Sequence, residues 1–166
     1  MRLNIITTPN PILRQKAKEI KKDELDSKKF RRLVSDMVET MREKNGIGLA
    51  APQAGENARL ICIDARETDQ RGRIEKEKYP ELIYNESNLV IINPSITWKS
   101  FGKTVIEEGC LSIPKVTGNI KRSKSIRMNC MNLEGKKIKI KTKGLLARVL
   151  QHEIDHLEGI LFTDRI

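Results

Sequence analysis

The stretch GLLARVLQHEIDHLEG, residues 144–159, carries its apolar residues at helical spacing. Successive residues turn by about 100° around a helix axis. On that wheel Leu145, Leu146, Val149, Leu150 and Leu157 share one face, and His152, Glu153 and His156 fall within it. Arg148, Gln151, Asp155 and Glu158 fall on the other side. The spacing therefore predicts a helix whose buried stripe carries His-Glu-x-x-His. Histidines at i and i+4 lie one turn apart and can bind one ion. A carboxylate among leucines is costly unless it is paired or used. Two satisfied core histidines beside a chance glutamate are the bland alternative.

A catalytic zinc or iron usually takes three protein ligands. No histidine follows His156, because Phe162 stands where HExxHxxGxxH would place one and these are the only two histidines in the chain. Glu158 points to the opposite side, and Asp164 would need a tight reversal. An upstream carboxylate or thiolate is the better source, and Cys110 in EEGCLSIP is the strongest candidate. Gly109 beside it allows unusual backbone geometry. One Cys and two His leave a fourth position open, the catalytic form of such a site. A bound water is then acidified towards neutrality, and Glu153 can take its proton and return it to a leaving amine. That is carbonyl hydrolysis, which needs donors for the developing oxyanion. NGIGLAAPQAG, residues 45–55, supplies a bare backbone and the Gln53 amide.

The chain has 166 residues, a length suited to one core, so residues 1–166 are expected to form a single catalytic domain. Cys62, Cys110 and Cys130 are too few and too odd a set for a disulfide framework. No segment has the length or apolarity of a membrane span or the pattern of a secretory signal, which predicts a cytoplasmic protein, or an organellar one if a targeting segment precedes it. Net charge is +10, and residues 99–148 hold 13 Lys/Arg against 3 Glu, so that stretch carries the whole excess. Such a face suits polyanions, RNA or the ribosome among them. A solvated lysine-rich face explains the composition equally well. The GKK turn lacks the upstream glycine of a phosphate loop.

Elsewhere, PNPILRQKAKEI predicts a short proline-entered helix, and residues 25–44 an amphipathic helix stopped by NGIG. RLICIDA and NLVIINPSITW read as strands, TVIEEGCLSIP as an extended segment, and SIRMNCMNL with KIKIK as a hairpin. Cys62 and Cys130 should face the core. Residues 65–87 read as a polar surface insertion.

GIGLAAPQ, EGCLS and QHEIDH, in that order, resemble the three signature motifs of the peptide deformylase family. TTPNPILRQKA, VIINP and the last helix extend the resemblance over most of the chain. It implies an α+β fold, with small, mostly antiparallel sheets packed around the motif-bearing helix. It implies removal of the formyl group from N-formylmethionyl nascent peptides, with Fe²⁺ as the usual metal and zinc, nickel or cobalt as substitutes. Cys110, His152 and His156 would be the metal ligands and Glu153 the general acid/base. Gln53 and the Leu111 N–H would hold the carbonyl oxygen. Gly48 would contact the substrate backbone. Ile47, Ile106, Leu145 and Val149 would line the methionine pocket, and Arg122 would touch the substrate further along. The basic stretch 99–148 offers a ribosome contact. A metalloendopeptidase and a basic binding protein with a structural metal site are the competing readings.

Overall fold

Ser27 Oγ accepts a hydrogen bond from the Phe30 N–H and starts helix α1, Lys28–Glu43. The helix ends at Asn45, whose left-handed φ of 54° lets Gly46 bond back to the Met41 carbonyl. Phe30, Val34, Met37, Val38 and Met41 form its buried stripe. The helix expected from Pro11 is only a single 3-10 turn, Pro11–Arg14, capped by Asn10. Beyond it the backbone finds distant partners instead. Ala17 N–H bonds the Leu157 carbonyl, Ile20 N–H bonds Asn93 Oδ1, and the Lys18 carbonyl accepts from Arg59 N–H. Tertiary hydrogen bonds have overridden local propensity here.

The computed structural model describes residues 1–66 and 72–166 and the backbone of 68–69; 67, 70 and 71, in the insertion expected at 65–87, lie outside the described residues. The strands are β1 (Gly48–Ala50), β2 (Leu60–Asp64), β3 (Thr68–Asp69), β4 (Gly72–Arg73), β5 (Ile83–Tyr84), β6 (Asn88–Lys99), β7 (Lys103–Cys110), β8 (Ile113–Ser123), β9 (Ser125–Met131) and β10 (Lys137–Lys143). Helix α2 spans Gly144–Leu157. The main sheet runs β1-β2-β6-β9-β10, with β5 also on β6, and its pairings are antiparallel. β7 and β8 form a separate hairpin. In β9 and β10, Met128 opposes Ile140 and Cys130 opposes Ile138, all facing the core, while the lysines between them face out. The architecture is the expected α+β.

α2 packs on one side of the sheet, against Ile61, Ile63, Leu89, Ile91, Met128 and Ile140. α1 packs on the other, against Leu60, Cys62, Val90 and Ile92. The hairpin β7–β8 covers the flank of α2 away from the sheet. That flank was assigned to the polar side of the helix, yet every residue from Leu145 to Leu157 is buried. On that flank Arg148, Gln151 and Asp155 are buried with partners. Arg148 donates to Glu108, to Thr104 and to the Ile120 carbonyl. Gln151 exchanges hydrogen bonds with the Ser123 backbone. Asp155 accepts from Arg122 and Arg165. Within the segment read as a surface insertion, Ile74 and Leu82 are also buried in the core beside α2.

Candidate active site

β7 alternates, with Ile106, Glu108 and Cys110 on its inward side. A register shift between Gly109 and Cys110 ends the pairing. Gly109 itself has no left-handed φ and no crowded Cβ position, so the special geometry expected of it is absent. The shift brings the Cys110 thiol over the middle of α2. Its Sγ, with one ring nitrogen each from His152 and His156, forms a group of donors within 4.8 Å of one another. Cys110 Sγ lies 3.2 Å from His156 Nε2. His152 Nδ1 lies 2.9 Å from Glu108 Oε2, which turns the other ring nitrogen towards the sulfur. The Phe162 ring stacks on His152, with centroids 6.2 Å apart.

Gln53 sits in a 3-10 turn, Ala51–Ala54, that directly follows β1. Its Oε1 accepts from the Ala50 N–H at 2.9 Å, which fixes the amide. Its Nε2 donates towards Cys110 Sγ at 3.3 Å and Ser112 Oγ at 3.2 Å. Glu153 lies on the other side, against Gly48. A Cβ on Gly48 would meet Glu153 Oε1 at 2.6 Å and its Cδ and Cγ at 2.9 Å, so only glycine fits that position.

Glu153 Oε2 and His156 Nδ1 are buried without a hydrogen-bond partner. Burial pushes the Glu153 carboxyl up to about 7. Burial and the neighbouring His152 hold His156 well below the ordinary histidine range. Burial also opposes charge on His152, yet Cys110 and Glu108 outweigh it and raise that group to about 10. Glu108 is the carboxylate partner of His152. Burial alone would raise its carboxyl, but His152 and Arg122 hold it well below the ordinary carboxylate range. Cys62 and Cys130 are pushed up to about 12 by burial and stay inert thiols of the core.

These groups border a cavity of about 400 Å³. Of the residues expected there, Ile47, Gly48, Gln53, Cys110, Leu111, Val149, His152 and Glu153 line it, and His156 lies just behind. Leu145 and Ile106 do not line it; Leu145 belongs to the core between α2 and the sheet. Arg122 is a correction. The residue is 4% exposed, its Nε and Nη2 donate to the two oxygens of Glu108 and its Nη1 to Asp155, so each nitrogen of the guanidinium is already engaged within the protein. Among the lining residues that sequence reading did not single out are Glu108 and Arg148. Both had a positional signal: Glu108 is two residues before Cys110 on a strand, and Arg148 is one turn before His152.

A family model described as polypeptide deformylase matches residues 2–166. A protein named peptide deformylase from Dictyoglomus turgidum is 44% identical over 94% of this chain and 87% of its own length. The structure of a probable peptide deformylase from synechococcus phage S-SSM7 is 43% identical, with a TM-score of 0.79 over 99% of each chain. A Met-Ala-Ser-bound class I type b peptide deformylase from Acinetobacter baumannii superposes with a TM-score of 0.87 at 32% identity, covering 100% of this chain and 99% of that one.

Proposed function

The chain belongs to the polypeptide deformylase family, and on that premise we propose which of its residues perform the reaction. The activity is hydrolysis of the formyl C–N bond of N-formylmethionine at the start of newly made polypeptides, releasing formate. The enzyme is metal-dependent, and Cys110, His152 and His156 are a group able to hold the ion. The observation that carries the assignment of roles is the placement of Glu153 beside this donor trio in one cavity.

Cys110, His152 and His156 would hold a divalent cation, which would supply Lewis acidity and lower a water's pKa towards neutrality. Glu153 takes a proton from the attacking water and passes it to the departing amine, so that water and formamide become formate and a free N-terminus. A carboxyl pushed up to about 7 is matched to both halves of that transfer near neutral pH. The Gln53 amide and the Leu111 N–H hold the carbonyl oxygen as charge develops on it. Gly48 contacts the substrate backbone, and Ile47 and Val149 contact the methionine side chain. The Met-Ala-Ser peptide named for the Acinetobacter structure supports a methionine-first chain as the ligand.

One thiolate with two imidazoles suits several first-row cations, so availability decides between them. Fe²⁺ as the native metal, with zinc, nickel or cobalt as substitutes, follows the resemblance of the three motifs. The three free cysteines support a reducing, cytoplasmic setting. No described helix is long and apolar enough to cross a membrane. A ribosome contact through residues 99–148 is supported by their charge. The deciding assay is formate release from formyl-Met-Ala by anaerobically prepared protein. Glu153→Gln should lower kcat about 10²–10⁴-fold while metal content stays stoichiometric. Full activity in that variant removes Glu153 from the mechanism.

A further inference from the structure

The main sheet is covered unevenly. α2 lies across one side. On the other, α1 packs on β1 and β2 and reaches only Val90 and Ile92 of β6. The second half of β6, with β9 and β10, turns that side to solvent. Strand register sets its outward side chains in rows. Ser95, Asn129 and Lys139 form one; Trp98, Arg127 and Lys141 form the next. Lys137 and Lys143 mark the two ends of β10. Arg127, Lys137, Lys139, Lys141 and Lys143 are all exposed, and none of these rows contains a carboxylate. The Arg127 guanidinium lies 5.2 Å over the Trp98 ring, and that indole is 41% exposed.

Lysines that merely blunt a sheet edge belong on the edge strand. Here the charge continues inward to Arg127 on β9 and stops at an exposed aromatic on β6. An edge guard has no use for either. Alternate residues of a strand are about 7 Å apart, so the lysines form a flat row suited to an extended polyanion, with Glu75 near Lys143 at its end. A basic track beside a stacking ring is the physical recipe for binding single-stranded nucleic acid. We propose that this face binds single-stranded RNA, with phosphates along Lys139, Lys141 and Lys143 and a base stacked on Trp98. The surface choice is independent of the catalytic assignment; only the preference for RNA rests on the deformylase reading, because newly made chains emerge beside RNA. The charge excess at 99–148 is thereby divided. Lys121 projects from the separate hairpin β7–β8 and takes no part. No residue of the proposed face lines the catalytic cavity.

Trp98 is the only tryptophan, so its emission reports the site directly. The intact protein is titrated with an oligouridylate of about twelve nucleotides. Binding should quench Trp98, with log K falling against log salt at a slope of about −2, as for three neutralised phosphates. Anisotropy of a tagged oligouridylate should show Lys139→Glu/Lys141→Glu binding at least tenfold more weakly. Trp98→Leu should bind severalfold more weakly with the salt slope kept. Formate release from formyl-Met-Ala should be unchanged in both variants, which also shows that they are folded and separates this proposal from the catalytic one. Unchanged Trp98 emission at saturating RNA overturns the proposal, as does full affinity in the lysine double variant. Polyglutamate binding as tightly as RNA overturns it too, and makes an acidic protein surface the partner.

Discussion

Gly48 and Glu153 meet so closely that each determines what the other position tolerates. Gly48→Ala would place a methyl within 2.6 Å of Glu153 Oε1, and the carboxylate must move. A misplacement of about 1 Å in a catalytic group can cost on the order of 10²-fold in rate. The expected result is a large fall in kcat for formate release, with metal content unchanged, because the added methyl meets Glu153 and none of Cys110, His152 and His156. Unchanged kcat would show that Glu153 has a second productive position. The Gly48–Glu153 pairing was not legible in the sequence, since the two residues are far apart in the chain. The His152–His156 pairing was, because helix geometry alone sets it.

At the scale of elements, α2 and the hairpin β7–β8 are joined by ion pairs rather than by apolar packing alone. Glu108 on β7 accepts from Arg122 on β8, from Arg148 on α2 and from His152. Glu108→Gln removes the charge at the centre of two buried guanidiniums. Breaking a buried pair by deleting one partner costs about 3–5 kcal/mol, which urea unfolding would measure. The variant also loses the charged acceptor that orients His152. Loss of such a partner lowers metal affinity about 10–100-fold, measured as the metal retained against a chelator. Stability and metal affinity equal to wild type would remove Glu108 from both roles. Helical periodicity found α2 and its motif. It misjudged Arg148, Gln151 and Asp155, because a wheel shows one apolar stripe and cannot show a second covering layer. The failed helix after Pro11 has a similar cause, since its backbone partners, Leu157, Asn93 and Arg59, come from elsewhere in the chain.

At the scale of the whole molecule, the carboxylates set the acid limit of stability. Burial alone would raise the Asp64 carboxyl, but hydrogen bonds from Arg66 hold it below the ordinary range. As pH falls, the unfolded chain therefore binds this proton first. The stabilisation is complete above about pH 5 and is lost as pH drops through the lower folded value. Asp64→Asn should flatten stability against pH over about pH 5 to 2, and a wild-type slope there would contradict the assignment. The net charge of +10 acts over the same scale, through self-repulsion that salt screens. The amino-acid sequence by itself determined the helix bearing His152, Glu153 and His156, the hairpin β9–β10 and the choice of Cys110. Each follows from local periodicity or from the small number of residues able to bind a cation. Only the tertiary structure decided that Arg122 serves Glu108 and Asp155 rather than a substrate, that Glu108 and Arg148 belong to the site, and that β9 and β10 leave a basic face open. Those outcomes depend on which strands and helices come to lie together, and a partner distant in the chain leaves no periodic trace in the sequence.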